Sequence, residues 1–321
     1  MQKVFLFILS TITMLIFQVA SLCQNEPVQI DPETIRVMSF NIWIGGEAGK
    51  QPLEQTARVI RESRADIVGL QEVLGQEVNK VRPDNGKKIA EILGWNYLNQ
   101  GGGTAVASRF PITTTTPNKW GVSLTLPSGR IVHMFNAHFP ASPYQPYQLL
   151  KIPYNDAPFL NTEAELIQAA KEARGSEVSR MLLDLRPVLQ TGQPVFLTGD
   201  FNEPSFQDWT QKALSAGKCP MKIEYPTTKL VWEAGMRDAY RTVHPDEVAS
   251  RGLTWTPTTR EDDPQDYHDR IDYVWFAGKG VQATHCEVVG ERKERADILI
   301  SPYPSDHRGV VATIELRSSE N

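Results

Sequence analysis

Cysteine is scarce. The 321 residues hold three, Cys23, Cys219 and Cys286, and none stands in CxxC spacing. A thiolate zinc site is therefore not expected, and one Cys219–Cys286 bridge is left open for an oxidising compartment. A surplus of basic charge is also missing: Lys and Arg number 33 against 38 Asp and Glu, a formal net charge of −5. That weakens the case for a long cationic track along duplex nucleic acid. A local cluster with a metal ion can still bind a polyanion, whatever the overall sign. Past the first two dozen residues no run is apolar enough to span a bilayer. No internal repeat or low-complexity linker divides the chain, and neither a Gly-x-Ser-x-Gly elbow nor a cysteine-nucleophile signature is found.

What is present begins with an export pattern. Lys3 precedes an apolar stretch from Val4 through Phe17, diluted by Ser10, Thr11 and Thr13, and the small residues Ala20 and Ser21 follow. Residues 1–23 thus read as a secretory signal peptide, which places the mature chain in the periplasm or outside the cell. Lipidation at Cys23 is disfavoured, because Leu22 stands where a lipoprotein signal wants a small side chain. Residues 24–321 are expected to form a single catalytic domain with a large core.

Short runs rich in Val, Ile and Phe, ending at Gly, Pro, Asn or Asp, predict strands at 36–42, 66–73, 103–108, 130–138, 194–199, 270–276 and 309–316. Pro52 opens a helix over 52–63 with Leu53, Ala57 and Ile60 on one face. Thr162 and Glu165 make a capping-box pattern, and Ser205 with Asp208 resembles a second helix start. Several strands are apolar on both faces, so two packed sheets flanked by helices are expected.

The polar residues at the strand ends carry the chemistry. Asn41, Glu72 and His138 each close an apolar run, and Asp200 and Asn202 follow a fourth. In the last third the order reverses: Asp272 opens Tyr273-Val274-Trp275-Phe276, and Asp306-His307 precede Gly309-Val310-Val311. Strands of opposite direction can bring all these ends to one rim. Each residue alone has a plain structural reading, such as a turn Asn or a paired carboxylate. Six such coincidences in order do not.

These strings resemble the endonuclease/exonuclease/phosphatase superfamily. The matching segments are Ser39-Phe40-Asn41-Ile42-Trp43, Gly69-Leu70-Gln71-Glu72-Val73, Asn136-Ala137-His138, Thr198-Gly199-Asp200-Phe201-Asn202, Arg270-Ile271-Asp272-Tyr273-Val274 and Ser305-Asp306-His307-Arg308, with Leu253-Thr254-Trp255 beside them. The resemblance implies an α/β fold, a four-layer α-β-β-α sandwich of two mixed, largely antiparallel sheets flanked by helices. It also implies a metal-dependent phosphoric ester hydrolase working by direct attack of water. Glu72 would be the main metal ligand, aided by Asn41 and Asp306, and oxygen ligands of this kind suit Mg²⁺ or Mn²⁺. His307, oriented by Asp272 or alternatively Asp269, would support the phosphoryl group or activate water. Asp200 would hold or deprotonate the water, Asn202 would hydrogen-bond the phosphate or nucleophile, and His138 would protonate the leaving oxygen.

Such a site reports the reaction rather than the leaving group. The segment 141–176 is expected to be a substrate-side insertion, since Pro143, Tyr144, Tyr147, Tyr154 and Phe159 crowd a long stretch ahead of a helix. A small-molecule or lipid-like phosphodiester or phosphomonoester is the favoured substrate, with no stable protein partner implied. An extracellular nuclease is the alternative, and it requires Arg58, Arg109, Arg130, Arg270 and Arg308 to cluster around a groove. A phosphate-binding module on a nuclease fold is the non-enzymatic alternative, against which the full ligand set speaks.

Overall fold

Side chains alternate across a β-strand, so a strand apolar at every position must be covered on both faces. The computed structural model, which describes residues 33–317, meets that requirement. The expected signal at 1–23, with Cys23, lies outside the described residues. In chain order the strands are β1 (Glu33–Asn41), β2 (Ile67–Gln71), β3 (Asn96–Gly101), β4 (Thr104–Ser108), β5 (Ile112–Thr115), β6 (Gly121–Thr125) and β7 (Ile131–His138). They continue as β8 (Val195–Asp200), β9 (Arg237–Asp238), β10 (Asp272–Ala277), β11 (Val281–Gly290), β12 (Ile298–Leu299) and β13 (Gly309–Leu316). One sheet has the order β12-β11-β13-β1-β2-β4-β3, the other β5-β6-β7-β8-β10-β9. Most neighbours are antiparallel, and β1–β2, β7–β8 and β11–β12 are parallel.

The helices α1 (Leu53–Glu62) and α2 (Asn85–Leu93) come first, followed by the short α3 (Gln145–Leu150) and the long α4 (Glu163–Gln190). After them come α5 (Gln211–Ser215), α6 (Pro226–Glu233) and α7 (Ala239–Val243). The alternation in β1 separates the layers. Ile35 and Val37 enter the core between the sheets with Phe196 and Val274, while Met38 and Phe40 pack outward on Ala57, Ile60 and Ile89 of α1 and α2. The second sheet does the same: Val195 and Leu197 turn to Val178, Met181 and Leu185 of α4. Each such fully buried aliphatic side chain contributes about 1.5–3 kcal/mol of transfer free energy. The four-layer sandwich follows.

A polar seam joins the two sheets beneath one rim. The Gln71 amide donates to Asn136 Oδ1 at 2.6 Å, and the Asn136 amide donates to the carbonyls of Leu70 and Ala105. Gly69 lies against it: a Cβ there would come within 2.0 Å of Thr198 Oγ1 and 2.5 Å of Asn136 Oδ1. Any side chain at 69 would force the sheets apart.

Some expectations needed correction. Thr162 and Glu165 form the anticipated capping box of α4, but Ser205 and Asp208 start no helix. They make a turn, with Asp208 N–H donating to the Ser205 carbonyl, and α5 begins later, at a cap supplied by Thr210. Strands β3, β5, β6 and β11 were not anticipated, because polar residues interrupt their apolar signal and β3, β5 and β11 also carry exposed positions. Cys219 and Cys286 are free thiols in separate apolar clusters, so the bridge left open by the sequence is not formed.

Candidate active site

The strand directions bring the polar ends together. Register places Asp272 opposite Asp200 across β10 and β8, and His138 beside Asp200 across β7 and β8. In the other sheet Asn41 is level with Gln71, so Glu72 follows at the rim. Glu72 has φ 58° and Asn202 φ 48°. Left-handed backbone is uncommon outside glycine, and it turns each side chain off its strand.

Asp200 is the centre of the hydrogen bonding. Its Oδ2 accepts from Asn41 Nδ2 at 3.0 Å and from Asn202 Nδ2 at 3.2 Å, and lies 3.4 Å from His138 Nε2 and 3.7 Å from His307 Nε2. Its Oδ1 accepts the Asn202 N–H at 2.9 Å. Asn41 also donates to Glu72 Oε1 at 3.2 Å, and Glu72 Oε2 accepts the Ile44 N–H at 2.8 Å. His307 Nδ1 is 2.9 Å from Asp272 Oδ2. Asp269, the other acid considered, instead accepts from Tyr144 Oη and Trp209 Nε1, at 2.9 and 3.0 Å. The partner of His307 is therefore Asp272.

Residues around this core hold it in place. The Thr254 hydroxyl accepts the N–H groups of Ile271 and Asp272, which fixes the start of β10. The Ser305 hydroxyl donates to the Asn41 carbonyl and accepts the His307 N–H, tying the Asp306-His307 turn to β1. Ser305 and Thr254 stand inside the motif strings, yet their positioning work becomes visible only across sheets. Glu177 also lines the cleft. It sits mid-way along α4, where nothing in the local sequence marks it.

Burial and charge set the protonation states. Burial would raise Asp200, but the His307 and His138 imidazoles outweigh it and hold the carboxyl at about 2. Burial would lower His307, but Asp272 and then Asp200 raise it well above the ordinary range. Burial, with the Asp200 charge adding, pushes Asp272 upward, against the pull of His307. We read this pair as imidazolium and carboxylate, because a 2.9 Å bond between opposite charges in a buried site favours both ions. His138 is raised too, since the Asp200 bond outweighs burial. Burial, with Glu72 adding, pushes Asp306 up to about 7.

The cleft has a volume of about 450 Å³ and is lined by Glu72, His138, Asp200, Asn202, Asp306 and His307, with Trp43, Tyr154, Trp255 and Glu177. No Lys or Arg among the described residues lines it. Asp306 Oδ1 is buried with no hydrogen-bond partner among the described residues. Carboxylates facing one space with an orphaned oxygen fit a hard cation held by oxygen atoms. Asp200, Asp272 and His307 also present atoms within 4.8 Å of one another, close enough to hold an ion. His307 Nδ1 and Asp272 Oδ2 engage each other and Asp200 accepts from Asn41 and Asn202, so, although Asp272 Oδ1 also has no hydrogen-bond partner among the described residues, the Glu72–Asp306 side is the better cation seat. Asn41 stands beside it, its Oδ1 accepting the Trp43 N–H at 3.0 Å.

The five arginines of the nuclease alternative do not gather at the cleft. Arg270 pairs with Asp208 and Asp238, Arg308 with Glu291, Arg58 with Glu62 and Arg109 with Asp66, while Arg130 donates to the Leu316 carbonyl.

Comparison with known proteins agrees with this geometry. The model of the endonuclease/exonuclease/phosphatase family matches residues 38–307. An uncharacterised protein of Caenorhabditis elegans is 27% identical over 296 residues, covering 87% of this chain and 90% of the relative. An inositol phosphosphingolipids phospholipase C of Schizosaccharomyces pombe is 25% identical over a 342-residue alignment, covering 90% of this chain and 70% of that protein. A solved endonuclease/exonuclease/phosphatase structure from Beutenbergia cavernae superposes with a TM-score of 0.54 at 19% identity, covering 89% of this chain and 72% of the other.

Proposed function

The chain belongs to the endonuclease/exonuclease/phosphatase family and is a phosphoric ester hydrolase, and from that premise we propose that it cleaves a small or lipid-like phosphodiester by direct attack of water. One observation carries the choice: the cleft gathers carboxylates, an amide and two imidazoles but, among the described residues, no lysine or arginine. A long polyanion would find no cationic track beside the reacting phosphate. The phospholipase C relative, whose name specifies an inositol phosphosphingolipid, supports a lipid-like ester. The export pattern at 1–23 supports action outside the cytoplasm.

Each side chain has a task in this reading. Asp200, ionised and anchored by Asn41 and Asn202, orients the attacking water and receives its proton. The water oxygen bonds to phosphorus while the ester P–O bond breaks. His138 gives its proton to the departing oxygen, which leaves as an alcohol. His307, kept cationic by Asp272, offsets the charge that gathers on the non-bridging oxygens. Asn202 donates to the phosphate or to the water. Glu72 and Asp306, beside Asn41, would hold a divalent ion, Mg²⁺ or Mn²⁺, which would supply charge neutralisation and lower the pKa of the attacking water.

The test is a substrate panel with the purified chain: bis-p-nitrophenyl phosphate, p-nitrophenyl phosphate, plasmid DNA and a phosphocholine lipid, each with Mg²⁺, Mn²⁺ or EDTA. Turnover of the small diester or lipid, abolished by EDTA, is expected. Rapid DNA cleavage with neither small diester nor lipid turned over would sink the reading in favour of a nuclease.

A further inference from the structure

A second cavity, of about 270 Å³, adjoins the catalytic cleft, and Tyr144, Tyr147, Tyr154, Trp255, Pro153 and Ile271 supply most of its wall. The two cavities share Ala141, Tyr154, Asn202 and Trp255, so a group bonded to a phosphate in one can reach the other. The tyrosine rings stand at right angles. Tyr144 meets Tyr147 at 89° with centroids 4.9 Å apart, and Tyr147 meets Tyr154 at 90° and 5.7 Å.

The hydroxyls of Tyr144 and Tyr147 and the indole N–H of Trp255 are already engaged. Tyr144 Oη donates to Asp269, Tyr147 Oη donates to Asp266, and Trp255 Nε1 donates to Asp266 Oδ1 at 3.1 Å. The cavity is therefore lined by aromatic rings more than by free hydrogen-bonding groups, Gln265 and the Tyr154 hydroxyl being its open polar ones, with the carboxyl groups of Asp266 and Asp269 bonded to its rings and no Lys or Arg among the described residues in the lining. A polyol placed there would give up its hydration for few partners. A quaternary ammonium needs no hydrogen bond, and the negative faces of several rings attract it.

We propose that this cavity receives an alkylammonium group carried on the phosphate being cleaved, so that the enzyme prefers phosphodiesters of quaternary amino alcohols. The proposal rests on the phosphodiesterase reading above and names its substrate class. Tyr147 and Trp255 act through their rings, and their polar atoms are taken up by Asp266.

Two chromogenic esters of equal shape test it: p-nitrophenyl phosphocholine and p-nitrophenyl 3,3-dimethylbutyl phosphate, in which carbon replaces the charged nitrogen. The wild type should favour the charged ester in kcat/KM by about tenfold. Tyr147→Leu and Trp255→Leu should bring that ratio towards one, while Tyr147→Phe, which keeps the ring, should retain it. A wild-type ratio near one, or a ratio preserved in both leucine variants, overturns the proposal. If Tyr147→Leu does not fold, as judged by its thermal melt, Trp255→Leu decides. Tetramethylammonium chloride titrated against tryptophan fluorescence, with sodium chloride as blank, reads the cavity without turnover. A saturable change lost in Tyr147→Leu is expected, and no saturation counts against the site. Saturation in a wild type that hydrolyses neither ester would break the phosphodiesterase reading while upholding the cavity. Hydrolysis of bis-p-nitrophenyl phosphate with no preference for the charged ester would break only the cavity.

Discussion

Two groups of buried charge flank the start of β10, and they are built on opposite rules. Arg270, Arg241, Asp208 and Asp238 pair completely: Arg270 reaches Asp208 at 2.9 Å and Asp238 at 2.7 Å, and Arg241 meets the other side of Asp208. Arg241 and Arg270 draw Asp208 below its ordinary range in spite of burial, and the same carboxylates raise Arg270 further. Two residues along, Asp272 belongs to the other group, where Glu72, Asp200 and Asp306 face only the imidazoles of His138 and His307. The first group neutralises itself and has nothing left to give a ligand. The second is short of positive charge and keeps an unpartnered oxygen on Asp306. Balance marks structure, and imbalance marks the place where a cation and a phosphate complete the site.

The largest expected effect tests the unbalanced group. Glu72→Gln keeps shape but removes one negative charge, so kcat on bis-p-nitrophenyl phosphate should fall about a thousandfold. Its melting temperature without metal should hold or rise, because like-charge repulsion is relieved. A variant that unfolds while its folded fraction stays active would reverse the assignment of the two groups.

The balanced group should respond in the opposite way. Arg270→Met leaves Asp238 without its ion-pair partner and Asp208 with Arg241 alone, and should cost about 3–5 kcal/mol of stability. Its folded fraction should turn over far better than Glu72→Gln. Urea unfolding followed by an activity assay separates the two outcomes. Metal sharpens the contrast further. Mg²⁺ at a hundredfold above its Kd should stabilise the wild type by about 2.7 kcal/mol. Arg270→Met should keep that increment and Glu72→Gln should lose it, as read by thermal melts with and without EDTA. An equal increment in both would place the ion elsewhere, with the Asp200–Asp272–His307 group as the next candidate.

Asp269 stands between the two groups, buried with hydrogen bonds but no cation partner, and its effect should be the smallest. Burial pushes it from 3.8 up to about 7, against the bonds from Trp209 and Tyr144. The folded protein thus holds that proton more tightly than the unfolded chain. Its contribution to stability is complete below about pH 4 and is lost as the pH rises through 7. Asp269→Asn should flatten this fall in urea unfolding at pH 4, 5.5 and 7. A slope identical to that of the wild type would show that Asp269 is ionised throughout.

The site was legible because its residues occupy strand ends. A strand of alternating or wholly apolar residues announces its two ends, and Asn41, His138 and Asp200 close strands, Glu72 follows one and Asp272 opens one. The capping box at Thr162 and Glu165 is equally local and formed as read. The false helix start has a tertiary cause. Ser205 and Asp208 look like a helix start over four residues, but Asp208 answers to Arg241 and Arg270, 33 and 62 residues away. The aromatic segment predicted as a substrate wall divides between roles. Tyr154 lines both cavities and Tyr144 and Tyr147 line the second, while Phe159 points to solvent against Lys151.

The order of residues along the chain determined which side chains end each strand, and through them the reaction class, because strand length and alternation are set by neighbours in sequence. Only the tertiary structure decided that His307 meets Asp272 and not Asp269, that the arginines are consumed in internal pairs, and that the tyrosines stand at right angles beside the cleft. Those outcomes depend on contacts such as Asn41 to Asp200, 159 residues apart. No local rule relates residues at that distance; the packing of the two sheets does.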